Sequence, residues 1–159
     1  MLIEAGAVSR KNRNAALIKN LFTTAIAATA WWMWGYGLAF GSPELFVGNN
    51  GNFYGAVGFE DMPKDHYLQW VIQFAYCTVV ASIYQGALAE RTYLAGYLFM
   101  SLLVAGFIYP IILAWTWGQG WLAQKGFQDF AGTGVIHLIG GTVGVWGAIV
   151  LGKRRSLAK

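Results

Sequence analysis

The chain has 159 residues, 57% of them hydrophobic and only 11% charged, with a formal net charge of +4. An ordinary soluble domain carries roughly 25% charged residues, and separate apolar runs of membrane-spanning length exclude a single water-soluble core. The small net charge is no nucleic-acid footprint, and one cysteine, Cys77, excludes an intrachain disulfide.

The N-terminal stretch MLIEAGAVSRKNRN lacks the basic-then-apolar order of a cleavable signal peptide. Insertion is then expected to be driven by the hydrophobic segments themselves. Roughly 20 apolar residues, rising about 1.5 Å each in a helix, cross a 30 Å hydrocarbon core. Residues 21–40 contain no charge, and 67–89 are likewise uncharged until Glu90-Arg91. A third run covers 92–114 with Pro110 near its end, and a fourth covers 130–152, carrying His137 and closing on Lys153-Arg154-Arg155. These four runs predict an all-α, polytopic transmembrane bundle forming one domain over 1–159.

Charge placement orients the bundle. Four spans leave five flanks on alternating sides. Arg10, Lys11, Arg13, Lys19, Arg91, Lys153, Arg154, Arg155 and Lys159 lie on one side, and only Lys64 and Lys125 on the other. The positive-inside bias then places the N-terminal flank, the Glu90-Arg91 turn and the C-terminus in the cytoplasm. The loops 41–66 and 115–128 face outside. Gly37 with Gly41, and Gly140 with Gly144 and Gly147, are spaced for close helix contact in lipid.

Two ionisable groups carry the chemistry. Asp129 opens the fourth run, where a carboxylate caps free N–H groups and complements the helix dipole. His137 lies eight residues on, about 12 Å deeper in a regular helix. A polar group at that depth is costly to leave unpaired and faces a bundle interior or a water-filled path. Its alternative role is a bond to a neighbouring helix, and that of Asp129 is purely structural capping. His66 falls in a polar loop and is expected to be solvated. Trp70, Phe74, Tyr76, Trp115, Trp117 and Trp121 cluster at the outer helix ends, as an interfacial aromatic belt or as a vestibule that attracts a cation through ring faces.

Several strings occur together in order: Glu4-Ala5-Gly6 through Arg10-Lys11-Asn12, Trp34-Gly35-Tyr36-Gly37-Leu38-Ala39-Phe40-Gly41, Gly86-Ala87-Leu88-Ala89-Glu90-Arg91, Tyr109-Pro110, and Asp129-Phe130-Ala131-Gly132 with His137. In this set the chain resembles the ammonium transporter (Amt/Rhesus) family over nearly its whole length. The resemblance implies part of a fold of about eleven helices, built as two inverted repeats and assembled as trimers. The chain would run from the end of the first helix through the fifth. It implies transport of ammonium or ammonia across a membrane, expected to be the plasma membrane, with no enzymatic reaction and no cofactor. Trp117 matches the tryptophan of the family's outer recruitment site, Asp129 the aspartate near it, and His137 the first of its two pore histidines. Tyr76 stands where a phenylalanine is usual at the pore mouth, Ile72 where another aromatic is frequent, and Ala114 where a histidine follows the Tyr-Pro pair. Two other classes compete. A haem or quinone anchor would need histidine pairs on facing helices, and the fourth run holds one histidine. A non-transporting structural or regulatory fragment is the stronger rival, because the family's pore lies between its two repeats.

Overall fold

The computed structural model describes residues 2–41, 46–48, 53–55, 57–60 and 64–154. Part of the loop expected over 41–66, and Arg155 and Lys159 of the cationic flank, lie outside these. The described residues form helices and turns with no strand, as expected where lipid forces backbone groups to pair within each segment.

A short helix α1 (Leu2–Ala7) leads through a 3₁₀ turn (Arg10–Asn12) into α2, which is continuous over 13–40. Helix α3 (Lys64–Ile83) continues past Tyr84 into the short α4 (Gln85–Leu88). Then come α5 (Leu94–Trp115), a single turn α6 (Trp121–Gln124), and α7 (Thr133–Leu151). The segments Asp65–Leu88, Leu94–Trp115 and Thr133–Leu151 are long and apolar enough to cross a membrane. Helix α2 has the length but not the same composition, because threonines, tryptophans and Lys19 interrupt its apolar residues.

Helix α2 packs against both α3 and α5, while α7 packs on α3 and α4. The shared core holds Trp31, Tyr36, Tyr84, Tyr97 and Tyr109, all fully buried, with Cys77, Val80 and Val104 between them. Glycine decides where α7 sits. A Cβ on Gly140 would fall 2.7 Å from Ile83, and one on Gly147 would fall 2.7 Å from Leu88. Gly144 lies against Tyr84 and Ala87. This is the helix contact expected from the spacing. The Gly37–Gly41 pair differs, because it faces a loop rather than a helix. Its neighbours are the ring of Tyr54, 2.7 Å from a Cβ on Gly37, and the backbone of Gly48.

Three π-helical turns interrupt the long helices, at Trp31–Gly35, Val104–Ile108 and Thr133–Leu138. Each releases carbonyls from the ordinary ladder, and buried carbonyls need new donors. In α5, the Tyr109 N–H bonds to the Val104 carbonyl and Pro110 has no N–H at all. The carbonyls of Ala105 and Gly106 are thereby freed. Cys77 Sγ donates to the first at 3.6 Å and Trp34 Nε1 to the second at 2.8 Å. In α2, the N–H of Gly55 reaches the carbonyls of Trp32 and Met33 at 3.1 and 2.9 Å, which ties the outer loop to the widened turn. Trp34→Phe keeps the apolar bulk and removes the donor. It should cost about 1–3 kcal/mol for the unsatisfied Gly106 carbonyl, read as a lower thermal unfolding midpoint in detergent.

Lys19 lies well inside α2, not on an exposed flank. It is buried, and its Nζ donates to the carbonyls of Ala89 at 3.2 Å and Thr92 at 3.4 Å, 4.8 Å from the centre of the Tyr97 ring. The long alkyl stem lets the charge reach the end of the bundle while the helix stays packed. His66 departs from expectation only in its element, a helix instead of a loop. It sits in the first turn of α3, its ring 6.4 Å from that of Phe53.

Candidate functional site

The outer end of α5 leads into a tight turn. Gly118 N bonds back to the Leu113 carbonyl and Gly120 N to that of Ala114, at 2.8 and 2.9 Å, with Gln119 between them at φ 66°. A Cβ on Gly118 would lie 2.3 Å from the Ala39 carbonyl oxygen, so α2 can approach only because residue 118 is glycine. The turn places Trp117 over the start of α7, where its ring lies 3.3 Å from a Cβ built on Gly132.

Asp129 organises this junction. Its Oδ2 accepts the backbone N–H groups of Gly134 at 3.0 Å and Val135 at 2.7 Å, and its own carbonyl accepts Trp117 Nε1 at 3.1 Å. The capping role expected for Asp129 is present in altered form. Ala131 and Gly132 are both left-handed, at φ 60° and 77°, so the helix begins at Thr133 instead of directly after Asp129. The left-handed pair folds the carboxylate back under the first turn.

That shift changes where His137 falls in the helix. It lies four residues into α7, inside the π-helical turn, where its N–H bonds to the Gly132 carbonyl at 3.2 Å. The 12 Å expectation assumed a regular helix from Asp129, whereas the helix starts at Thr133 with a π-helical turn. The side chain of His137 is exposed on the outside of this bundle, next to Leu138, which is also exposed.

Of the residues singled out in the sequence, Trp117 and Asp129 are joined by a hydrogen bond. Trp117 and Tyr76 are joined by ring contact, with centroids 5.8 Å apart and planes at 59°. Ile72 lies one helical turn before Tyr76 on α3, and the two are 42% and 37% exposed. The other outer aromatics form packed pairs: Trp70 stacks on Phe74 at 5.7 Å, and Trp115 meets Trp121 at 5.8 Å. Behind Tyr76, Tyr109 donates to Gln73 Oε1 at 3.2 Å, which secures the outer half of α3 to α5. Ala114 is buried against the glycine turn.

At the opposite end of the bundle lies a cluster that no motif spacing predicted. Glu90 Oε1 accepts the Ser9 N–H at 2.9 Å, the Ser9 hydroxyl at 2.5 Å and Asn12 Nδ2 at 2.9 Å. Glu90 Oε2 faces Arg154 Nη1 at 3.4 Å, and the Glu90 side chain is only 6% exposed. Hydrogen bonds from the Ser9 side chain, from Asn12 and from the Ser9 backbone hold the carboxyl well below the ordinary carboxylate range, at about 2, with Arg154 adding a smaller pull. Arg91 donates to the carbonyls of Ala87 and Gly152. The turn after α4 is thus clasped from both termini of the described chain.

The comparisons agree on one relationship. The sequence profile of the Ammonium Transporter Family matches residues 1–159. Ammonium transporter 3 of Dictyostelium discoideum is 41% identical over 156 residues, covering 96% of this chain and 35% of that protein. Ammonium transporter 1 member 3 of Solanum lycopersicum is 35% identical over 94% of this chain and 34% of its own length. The crystal structure of Mep2 from Candida albicans superposes with a TM-score of 0.72 at 32% identity, over 84% of this chain and 31% of that one. The chain spans about a third of the length of the curated relatives it matches. With three helices among the described residues fit to cross a bilayer, this is an integral membrane protein, and it belongs to the Ammonium Transporter Family.

Proposed function

We propose that this chain forms part of the wall of a pore that moves ammonium nitrogen across a membrane. The observation that carries the reading is the outer junction: Trp117 in ring contact with Tyr76 and held by the carbonyl of Asp129, above a helix that presents His137 on an exposed face. The relatives' names identify them as ammonium transporters, and the same substrate fits this junction.

The energetics set the form of transport. Moving an isolated ammonium ion into a low-dielectric interior costs tens of kcal/mol by idealised solvation, while each ring face returns at most about 2 kcal/mol. Two rings and a nearby carboxylate attract the cation at the surface but cannot carry it through an apolar path. Trp117 and Tyr76 therefore recruit ammonium, Asp129 positions Trp117 and the start of α7, a proton leaves near the mouth, and neutral ammonia passes His137. Ile72 and Tyr76 line the approach on α3. The cations gathered near Arg91, Lys153 and Arg154 support a cytoplasmic C-terminus, and the family resemblance supports a trimer in the plasma membrane as the working form.

The test is uptake of ammonium or methylammonium by cells expressing a full-length transporter that contains this segment. Trp117→Ala should raise the half-saturating concentration several-fold, and His137→Ala should lower the maximal rate. Unchanged uptake in both variants overturns these assignments. In proteoliposomes the 159-residue chain alone should give no saturable flux, because the face bearing His137 has no facing wall in this bundle; specific flux from it would contradict the half-pore reading.

A further inference from the structure

A groove of about 500 Å³ runs between α5 and α7, away from the junction just described. Leu88, Met100 and Gly147 form its floor; Phe99, Trp146 and Val150 form its walls. Phe99 and Trp146 are 64% and 63% exposed, so the groove opens sideways from the bundle. Small residues deepen it, and a Cβ on Gly96 would meet only the Thr92 hydroxyl, at 2.9 Å.

Two features indicate the occupant. The groove extends from Thr92 and Leu151 at one end to Phe99 and Thr142 at the other. On α7 that is nine helical steps, or roughly 13 Å, close to half of a 30 Å hydrocarbon core. It therefore occupies the depth of a single leaflet. The end at Thr92 and Leu151 also stops where the cations begin: Arg91, Lys153 and Arg154 line a hollow beside Gly152. Arg154 is engaged by Glu90 and Arg91 by backbone carbonyls, while Lys153 is exposed.

We propose that this groove seats an acyl chain of an anionic glycerophospholipid from the leaflet on the cationic side, with its phosphate facing Lys153 and Arg91. The apolar walls bind the chain regardless of headgroup, and the cations at the mouth select negative charge. Each cation near an anionic headgroup is worth about five-fold in affinity.

The experiment places the 159-residue chain in liposomes with trace phosphatidylglycerol carrying a mid-chain diazirine, and maps cross-linked peptides by mass spectrometry. The matching phosphatidylcholine probe is the control. Phosphatidylglycerol should label the peptides bearing Phe99 and Trp146 at least about five-fold more than phosphatidylcholine does. Lys153→Gln should remove most of that preference, and Gly96→Leu should fill the groove and abolish labelling there by both probes. Equal labelling by the two headgroups overturns the proposal. So does labelling no stronger at Phe99 and Trp146 than at Phe22, which is exposed on α2. No labelling at Phe99 and Trp146 by either probe overturns it as well. If Gly96→Leu fails to fold, the headgroup comparison on the unaltered chain decides the matter alone.

Discussion

Asp129→Ala is expected to abolish ammonium uptake in a full-length transporter and to destabilise it, whereas Asp129→Asn should retain most of the fold. The alanine variant leaves the N–H groups of Gly134 and Val135 without an acceptor at the start of α7. Losing such a helix-capping acceptor costs about 0.5–2 kcal/mol, and with two part-buried N–H groups left over, the upper end of that range is expected. The same change frees the segment whose carbonyl holds Trp117 Nε1, and the indole loses its fixed place against Tyr76. Both N–H groups converge on one carboxylate oxygen, so asparagine with its carbonyl at that position keeps both bonds, weakened by the loss of charge assistance. Thermal unfolding in detergent and uptake rates, measured together, check this. If Asp129→Ala matched the parent protein in unfolding midpoint and uptake, the capping role would be refuted.

Glu90→Ala should be the most damaging single change at the other end of the bundle. Three donors converge on Glu90 Oε1, and at typical net values for bonds to a charged group their loss amounts to roughly 3 kcal/mol or more. The Arg154 contact adds little, since Arg154 is partly exposed. Glu90→Gln can keep all three donors on its carbonyl but turns an amide toward Arg154. The pH dependence follows from the lowered carboxyl. Its folded value of about 2 lies below the ordinary 4.5, so the folded state favours the ionised form. The stabilisation is complete above pH 4.5 and is lost as the pH falls from there toward 2. Unfolding midpoints recorded from pH 7 down to pH 3 should fall for the parent protein and fall less for Glu90→Gln. Parallel curves would exclude Glu90 as the titrating group.

The long helices were legible in the sequence because the signal is local. A charge-free run of about twenty residues has few alternatives in a bilayer. Gly140, Gly144 and Gly147 share a face through helix periodicity alone, and they do meet α3 and α4. The same spacing at Gly37 and Gly41 misled, because periodicity shows that a face is flat but not what lies on it. Likewise, Asp129 was recognisable as a cap by its place before an apolar run. The left-handed pair Ala131–Gly132 was not, and it moves the helix start, so that His137 falls within the opening π-helical turn of α7.

The amino-acid sequence by itself determined that this is a charge-poor bundle of membrane helices, and through its motifs it pointed to ammonium transport. Only the tertiary structure decided how the interrupted helices pay for their lost hydrogen bonds. Pro110 and the turn at Val104–Ile108 free two carbonyls, and their donors, Cys77 and Trp34, come from two other helices. Lys19 is placed by carbonyls some seventy residues away, and Glu90 by Ser9 and Asn12. Such partners are fixed by the register between packed helices. That register depends on many side-chain contacts at once and leaves no mark in any single segment.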